Sequence, residues 1–155
     1  MKKRKIGKNL YWENSEGVLI PEKMYIAEKT VIKKPCEIVG LLTEERTALQ
    51  ERFIVITLDA QNAVIKKHVV TIGILNQSQI HPRETFRVAI LDNAASIIIA
   101  HNHPSGCMDA SHDDLAVTKR LVESGNILGI KVLDHLIITV NGFTSIRSEQ
   151  PEYFR

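Results

Sequence analysis

Cysteine is the first scarcity: the chain has two, Cys36 and Cys107, far apart and with no Cys-x-x-Cys pair. That excludes a disulfide-stapled scaffold and suits a reducing compartment, so the expected location is cytoplasmic. It also removes the usual donors of a closed structural zinc site, which takes four protein ligands and commonly draws on cysteine. No apolar run approaches the ~20 residues of a bilayer-spanning helix, so no membrane contact is expected. The charged start has no apolar segment behind it, so no signal peptide is expected either. Charge of one sign is scarce as well. The net charge is +2, too small for a global field that would draw nucleic acid. Internal repeats and low-complexity linkers are missing.

What remains is 155 residues with 44% hydrophobic content, enough for one domain with one real core. The one charge asymmetry is at the start, where Lys2, Lys3, Arg4, Lys5 and Lys8 crowd together. Such a run reads as a flexible, solvated arm, and a weak DNA contact through Lys2–Lys8 is the partner it suggests. Behind it, Asn14–Gly17 reads as a turn, and Met24–Ala27 and Thr30–Ile32 as short strands. Pro35 opens a helix expected to run from Cys36 to about Leu49, with Gly40 weakening it. Phe53–Leu58 is a strand, Asp59–Asn62 a hairpin connector and Ala63–Gly73 the returning strand. A helix starts at His81-Pro82, with Phe86, Ala89, Ile90 and Ala94 at helical spacing. Lys131–Val140 is a strand, Asn141-Gly142 a turn and Phe143–Ile146 a last short strand. The residues after Arg147 read as a charged tail. Strands and helices alternate, which predicts an α/β sandwich: a mixed sheet with helices against its faces.

The most informative stretch is Ser96-Ile97-Ile98-Ile99-Ala100-His101-Asn102-His103-Pro104-Ser105-Gly106. Its apolar run does not alternate, so it reads as a central strand covered on both faces. Residues two apart on a strand share a side, so His101 and His103 project together and Asn102 points away. Pro104 keeps the residue before it extended, and Gly106 lets the chain turn. Ser111 then suits the N-cap of an amphipathic helix, with Asp113 and Asp114 in its first turn. The helix start therefore returns a carboxylate towards the strand end. Two imidazoles and one carboxylate, with a fourth position left for water, form a known ligand set for catalytic zinc.

His-x-His-Pro followed by Ser111 and Asp114 resembles the signature of JAMM metalloproteases, also called JAB or MPN+ domains. The longer string His101–Gly106, with Leu133-Asp134-His135 downstream, looks like the RadC branch of that superfamily. The resemblance covers roughly Val39 to Ile146. It divides the chain into an arm with short strands (1–33), a RadC-like JAB/JAMM domain (34–147) and a tail (148–155). One departure is Cys107, where RadC relatives usually carry an aspartate; it lies outside the ligand set. The two-helix DNA-binding region that precedes the JAMM domain in many RadC relatives is not evident.

The resemblance implies a three-layer α-β-α sandwich similar to that of cytidine deaminases, and a zinc-dependent hydrolase that cleaves a peptide or isopeptide bond with metal-activated water. It selects Asp114 over Asp113, so the implied Zn2+ ligands are His101, His103 and Asp114. In JAMM enzymes a glutamate at the start of the first core strand moves the water's proton. Glu51 stands in that place here, with Glu84 as its rival. The serine matching Ser111 helps stabilise the oxyanion. His112 and His135 fall outside the ligand set; His135 either orients a ligand or is a hydrogen-bonded structural histidine. A different class of function, a DNA-repair-associated accessory, follows from the historical association of RadC relatives and from the basic arm. A HNH nuclease is excluded, because its histidines are spread over a ββα element. A nucleobase deaminase is excluded by the lack of His-x-Glu and Cys-x-x-Cys.

Overall fold

The computed structural model describes residues 2–6, 9–13, 15–16, 19–21, 30–73 and 80–155. Three short strands, β1 (Lys2–Ile6), β2 (Asn9–Glu13) and β3 (Leu19–Pro21), form an antiparallel sheet. The basic segment through Ile6 is thus strand, where the sequence suggested a flexible arm; Lys8 lies outside the described residues. Ser15 and Glu16 form a turn, while the flanking Asn14 and Gly17 and the expected strand at Met24–Ala27 lie outside them. Of the expected strand at Thr30–Ile32, one bridge between Val31 and Ala63 is present.

The helix expected over 36–49 is broken in two. Helix α1 (Pro35–Gly40) starts with Pro35 at its N-terminus and ends at Gly40, and α2 (Thr43–Arg46) is a single turn. Gly40 is a weak helix former, and the stripe before it is spent on burying Ile38 and Val39, with Leu42 following.

The five-stranded sheet has the order β5-β4-β6-β7-β8, from β4 (Arg52–Leu58), β5 (Val64–Ile72), β6 (Ser96–Asn102), β7 (Lys131–Ile138) and β8 (Phe143–Ser145). Pairing is antiparallel except between β6 and β7, so the sheet is mixed. Every residue of β6 is buried, which is what its unbroken apolar run requires. Each of its isoleucines contributes about 1.5–3 kcal/mol by leaving water.

The side chains of β4 and β6 divide by parity into two cores. Phe53, Val55, Ile97 and Ile99 pack against Phe86 and Ala89 of α3 (Pro82–Leu91) and Val117 and Leu121 of α4 (His112–Leu128). Ile54, Ile56, Ile98 and Ala100 pack against Ile38, Val39 and Leu42 on the other side. The result is an α/β sandwich with the sheet as its middle layer.

One register shift matters later. Ile97 of β6 faces Val132 of β7, but Ile98 faces Asp134, so Leu133 is an extra residue. A bulge of this kind exchanges the faces of everything beyond it. Accordingly Val132 packs in the α3/α4 core, whereas Leu133 and Leu136 both pack in the opposite one. The segment after Arg147 is not a loose tail: α5 (Ile146–Glu149) and a 3-10 turn (Pro151–Phe154) fold back, and Phe154 packs on the α3/α4 core.

Candidate metal centre

The site forms where β6 ends and α4 begins. Proline after His103 and the turn at Gly106 redirect the chain: the Gly106 amide donates to His103 O at 3.0 Å, and Gly106 has φ +81°, a conformation that favours glycine. Ser111 is the N-cap of α4. Its hydroxyl accepts from the Asp114 amide at 3.1 Å, while its own amide and hydroxyl donate to Asp114 Oδ2 at 2.7 and 2.6 Å. This reciprocal box fixes where the Asp114 carboxylate sits.

The expected alternation holds at the strand end: His101 and His103 come together and Asn102 turns away. The two Nε2 atoms are 2.9 Å apart, and Asp114 Oδ1 lies 3.1 Å from His101 Nε2 while Oδ2 lies 3.7 Å from His103 Nε2. One donor atom from each of the three residues falls within 4.8 Å of the others. Asp113 and Cys107 are not in this group. Burial alone would raise the Asp114 carboxyl. The neighbouring His101 and the Ser111 donors outweigh it and hold that carboxyl well below the ordinary carboxylate range.

The proton positions follow from the partners. His103 Nδ1 lies 2.9 Å from the carbonyl oxygen of Cys107, which can only accept, so Nδ1 carries the proton and leaves the Nε2 lone pair facing inward. Thr118 donates its single hydroxyl proton to Asp114 O at 2.6 Å, so it must accept from His135 Nδ1, also at 2.6 Å. His135 Nε2 then accepts from His101 Nδ1 at 2.8 Å, and the His101 Nε2 lone pair faces inward too. His135 is buried, and desolvation foremost lowers its pKa well below the ordinary histidine value, so it is neutral. Two ring nitrogens and a carboxylate converging as acceptors need positive charge between them. This donor set of nitrogen and oxygen suits zinc.

A cleft of about 410 Å³ opens over the group and is lined by Glu51, His101, His103, Ser105, Ser111 and Asp114, among others. Glu51 is thus in the wall of the site. Glu84 is exposed on the first turn of α3, paired with Arg83, and does not line the cleft. His112 is exposed and also outside it. A larger, apolar groove of about 570 Å³ between α3 and α4 holds none of this chemistry; Ile90, which recurs at helical spacing with Phe86 and Ala89, lines it together with Ile127.

Asn102 faces the other side and braces the segment that carries Glu51 into β4. Its Oδ1 accepts from the Arg52 amide at 2.7 Å, and its Nδ2 donates to Ala48 O at 3.2 Å and Gln50 O at 3.1 Å. Thr118 is the residue that sequence reasoning missed. Its signal was its place four residues after Asp114, one turn along the same helix face.

No described helix is long and apolar enough to cross a membrane. Residues 32–151 match the family model described as RadC-like JAB domain. A UPF0758 protein of Moorella thermoacetica is 48% identical over 124 residues, 79% of this chain and 54% of the relative. One from Caldanaerobacter subterraneus is 51% identical over 112 residues, 72% of this chain and 48% of the relative. One from Picosynechococcus is 44% identical over 137 residues, 86% and 56% of the two chains. The chain spans about half the length of the curated relatives it matches. Site geometry, fold and the match across residues 32–151 converge on one assignment: the chain belongs to the RadC-like JAB domain family, within the JAMM superfamily.

Proposed function

We propose that this domain is a zinc-dependent hydrolase of the JAMM type, cleaving a peptide or isopeptide bond in a polypeptide. One observation carries the reading: one ligand atom each of His101, His103 and Asp114 lies within 4.8 Å of the others, in a cleft that Glu51 also lines. These three residues would hold the ion. Bound zinc supplies a Lewis acid that lowers the pKa of water from 15.7 to ~7.

Glu51 takes the proton of the attacking water and returns it to the leaving nitrogen as the amide C–N bond breaks and the new C–O bond forms. Ser111 offers an O–H donor to the carbonyl oxygen as negative charge builds there. Its hydroxyl donates to Asp114 Oδ2 in this structure, so donation to substrate requires it to rotate. Asp114 keeps the Ser111 amide bond when it does.

Zinc content measured by mass spectrometry tests the site. His101→Ala and Asp114→Ala should lose the metal, and full retention would refute the ligand set. Glu51→Gln should keep zinc and abolish cleavage in a peptide-library screen, whereas Glu84→Gln should cleave normally; the reverse pattern moves the proton-transfer role to Glu84.

A second reading, a DNA-contacting accessory, is favoured by the exposure of Lys2, Lys3 and Arg4 on β1. Its mark would be salt-sensitive DNA binding that falls when Lys2, Lys3, Lys5 and Lys8 are replaced by glutamine.

A further inference from the structure

We infer that His135 and Thr118 form a positioning pair that fixes which nitrogen of His101 is free to bind metal. The inference rests on the ligand set proposed above. His101 has two ring nitrogens, and a neutral imidazole carries one proton. Only the tautomer protonated at Nδ1 presents a lone pair at Nε2, the atom that faces His103 and Asp114. Nothing within His101 makes that choice. It is made through a chain of three hydrogen bonds that starts at a carbonyl, the one partner in the chain that cannot donate.

The chain runs from Asp114 O to Thr118 Oγ1 at 2.6 Å, from Thr118 Oγ1 to His135 Nδ1 at 2.6 Å, and from His135 Nε2 to His101 Nδ1 at 2.8 Å. Reversing any link would place two protons, or none, between a pair of atoms. The whole chain is dry: Thr118 is 0% exposed, and His101 and His135 are each 1% exposed, so water cannot repair a reversed link. Phe53 closes off His135 edge-on at 6.1 Å between ring centroids. The same hydroxyl also ties α4 to β7, so it registers the helix that carries Asp114 against the strand behind His101.

The fold makes a specific provision for this. By strict alternation from Val132, residue 135 would point into the opposite core; the extra residue in β7 turns His135 to the side of His101. Asp134 stabilises the irregularity. Its Oδ1 accepts from the His135 amide at 2.7 Å and the Arg147 amide at 3.2 Å, and its Oδ2 from Ser145 Oγ at 2.7 Å. The Leu133-Asp134-His135 string thus acquires a purpose: one residue inserts, one satisfies the disturbed backbone, and one holds the ligand.

Histidine-ring ¹⁵N spectra of the metal-free full chain read the proton positions directly. The expected result is protonated Nδ1 on both His101 and His135, with His135 Nε2 unprotonated. Thr118→Val should remove this pattern and weaken Co(II) binding, measured by competition with a chromophoric chelator, by about 10- to 100-fold. Thr118→Ser, which keeps the hydroxyl, should restore both. An unprotonated His101 Nδ1 in the wild-type chain, or a valine variant with unchanged spectra and Co(II) affinity, overturns the inference. A wild-type chain with the expected protons that binds neither zinc nor Co(II) supports the proton assignment and refutes the metal reading instead.

Discussion

Replacing Asn102 by alanine removes, in one step, the three hydrogen bonds that hold the chain on both sides of Glu51. Asn102 is 1% exposed, and its amide reaches Arg52 N, Ala48 O and Gln50 O. A hydrogen bond of this kind contributes about 0.5–1.5 kcal/mol net, and a buried group left unpaired costs more. Gln50 is exposed and Ala48 half-buried, so their carbonyls can turn to water, while the Arg52 amide at the start of β4 is less able to. The sum is about 2–3 kcal/mol, or roughly 4–12 °C in melting temperature for a chain of this size. Urea unfolding measures it. Because the metal ligands lie on the other face, zinc content should be unchanged. Cleavage should drop further than stability explains, since a shift of ~1 Å in a catalytic group can cost about 100-fold. Asn102→Asp keeps the acceptor for Arg52 but aims an oxygen at two carbonyls, so it should be at least as destabilising as alanine. An alanine variant within about 0.5 kcal/mol of wild type, or an aspartate variant as stable as wild type, would show that Asn102 does not hold this segment.

Three further outcomes follow. Burial tends to raise the Asp92 carboxyl, but hydrogen bonds from His68 and Thr57 outweigh it and hold its pKa below the ordinary aspartate value in the folded chain. A depressed folded pKa gives stability that is present above the unfolded value and lost as pH falls through the folded one. Asp92→Asn should therefore flatten the decline in urea midpoint below about pH 4, and an unchanged acid limb would refute this. Gly125→Ala, which on an open helix would gain about 1 kcal/mol, should instead lose about 1–3 kcal/mol, because its Cβ would meet Ile130 O at 2.4 Å. Cys107→Ser should leave zinc content intact by mass spectrometry, since His103 uses the Cys107 carbonyl and not its thiol.

The fold was legible wherever a local pattern coincided with a tertiary demand. β6 could be read because an unbroken apolar run has to be covered on both faces, and Ser111 because a helix start needs an acceptor. The pairing of His101 with His103 was readable for the same reason, from strand parity, and the helix cap put a carboxylate near them, but it was the family resemblance that chose Asp114 over Asp113. The reading failed where the deciding partner is remote in sequence. Nothing near Leu133 announces the extra residue in β7, because its compensation comes from Asp134 meeting Ser145 and Arg147. The helix expected to Leu49 ends early because Ile38, Val39 and Leu42 are taken up by the sheet. Ile90 kept helical spacing yet lies in an exposed groove, since periodicity gives a face and not what covers it. The residues after Arg147 looked featureless, but Phe154 finds the core.

The two edge strands of the five-stranded sheet differ in how each would meet another chain. β5 ends the sheet on one side with Ile65, Val69 and Ile72 partly bare. A strand in that position is a template on which a second molecule can add its own. Lys66 is exposed in the middle of it, and a neighbour's identical residue would meet it in like charge, while Lys67 is paired with Glu45 at 2.8 Å. The opposite flank, β8, is three residues long and too short to recruit a partner. The two sides thus discourage fibre-like stacking by different means, one by repulsion and one by brevity.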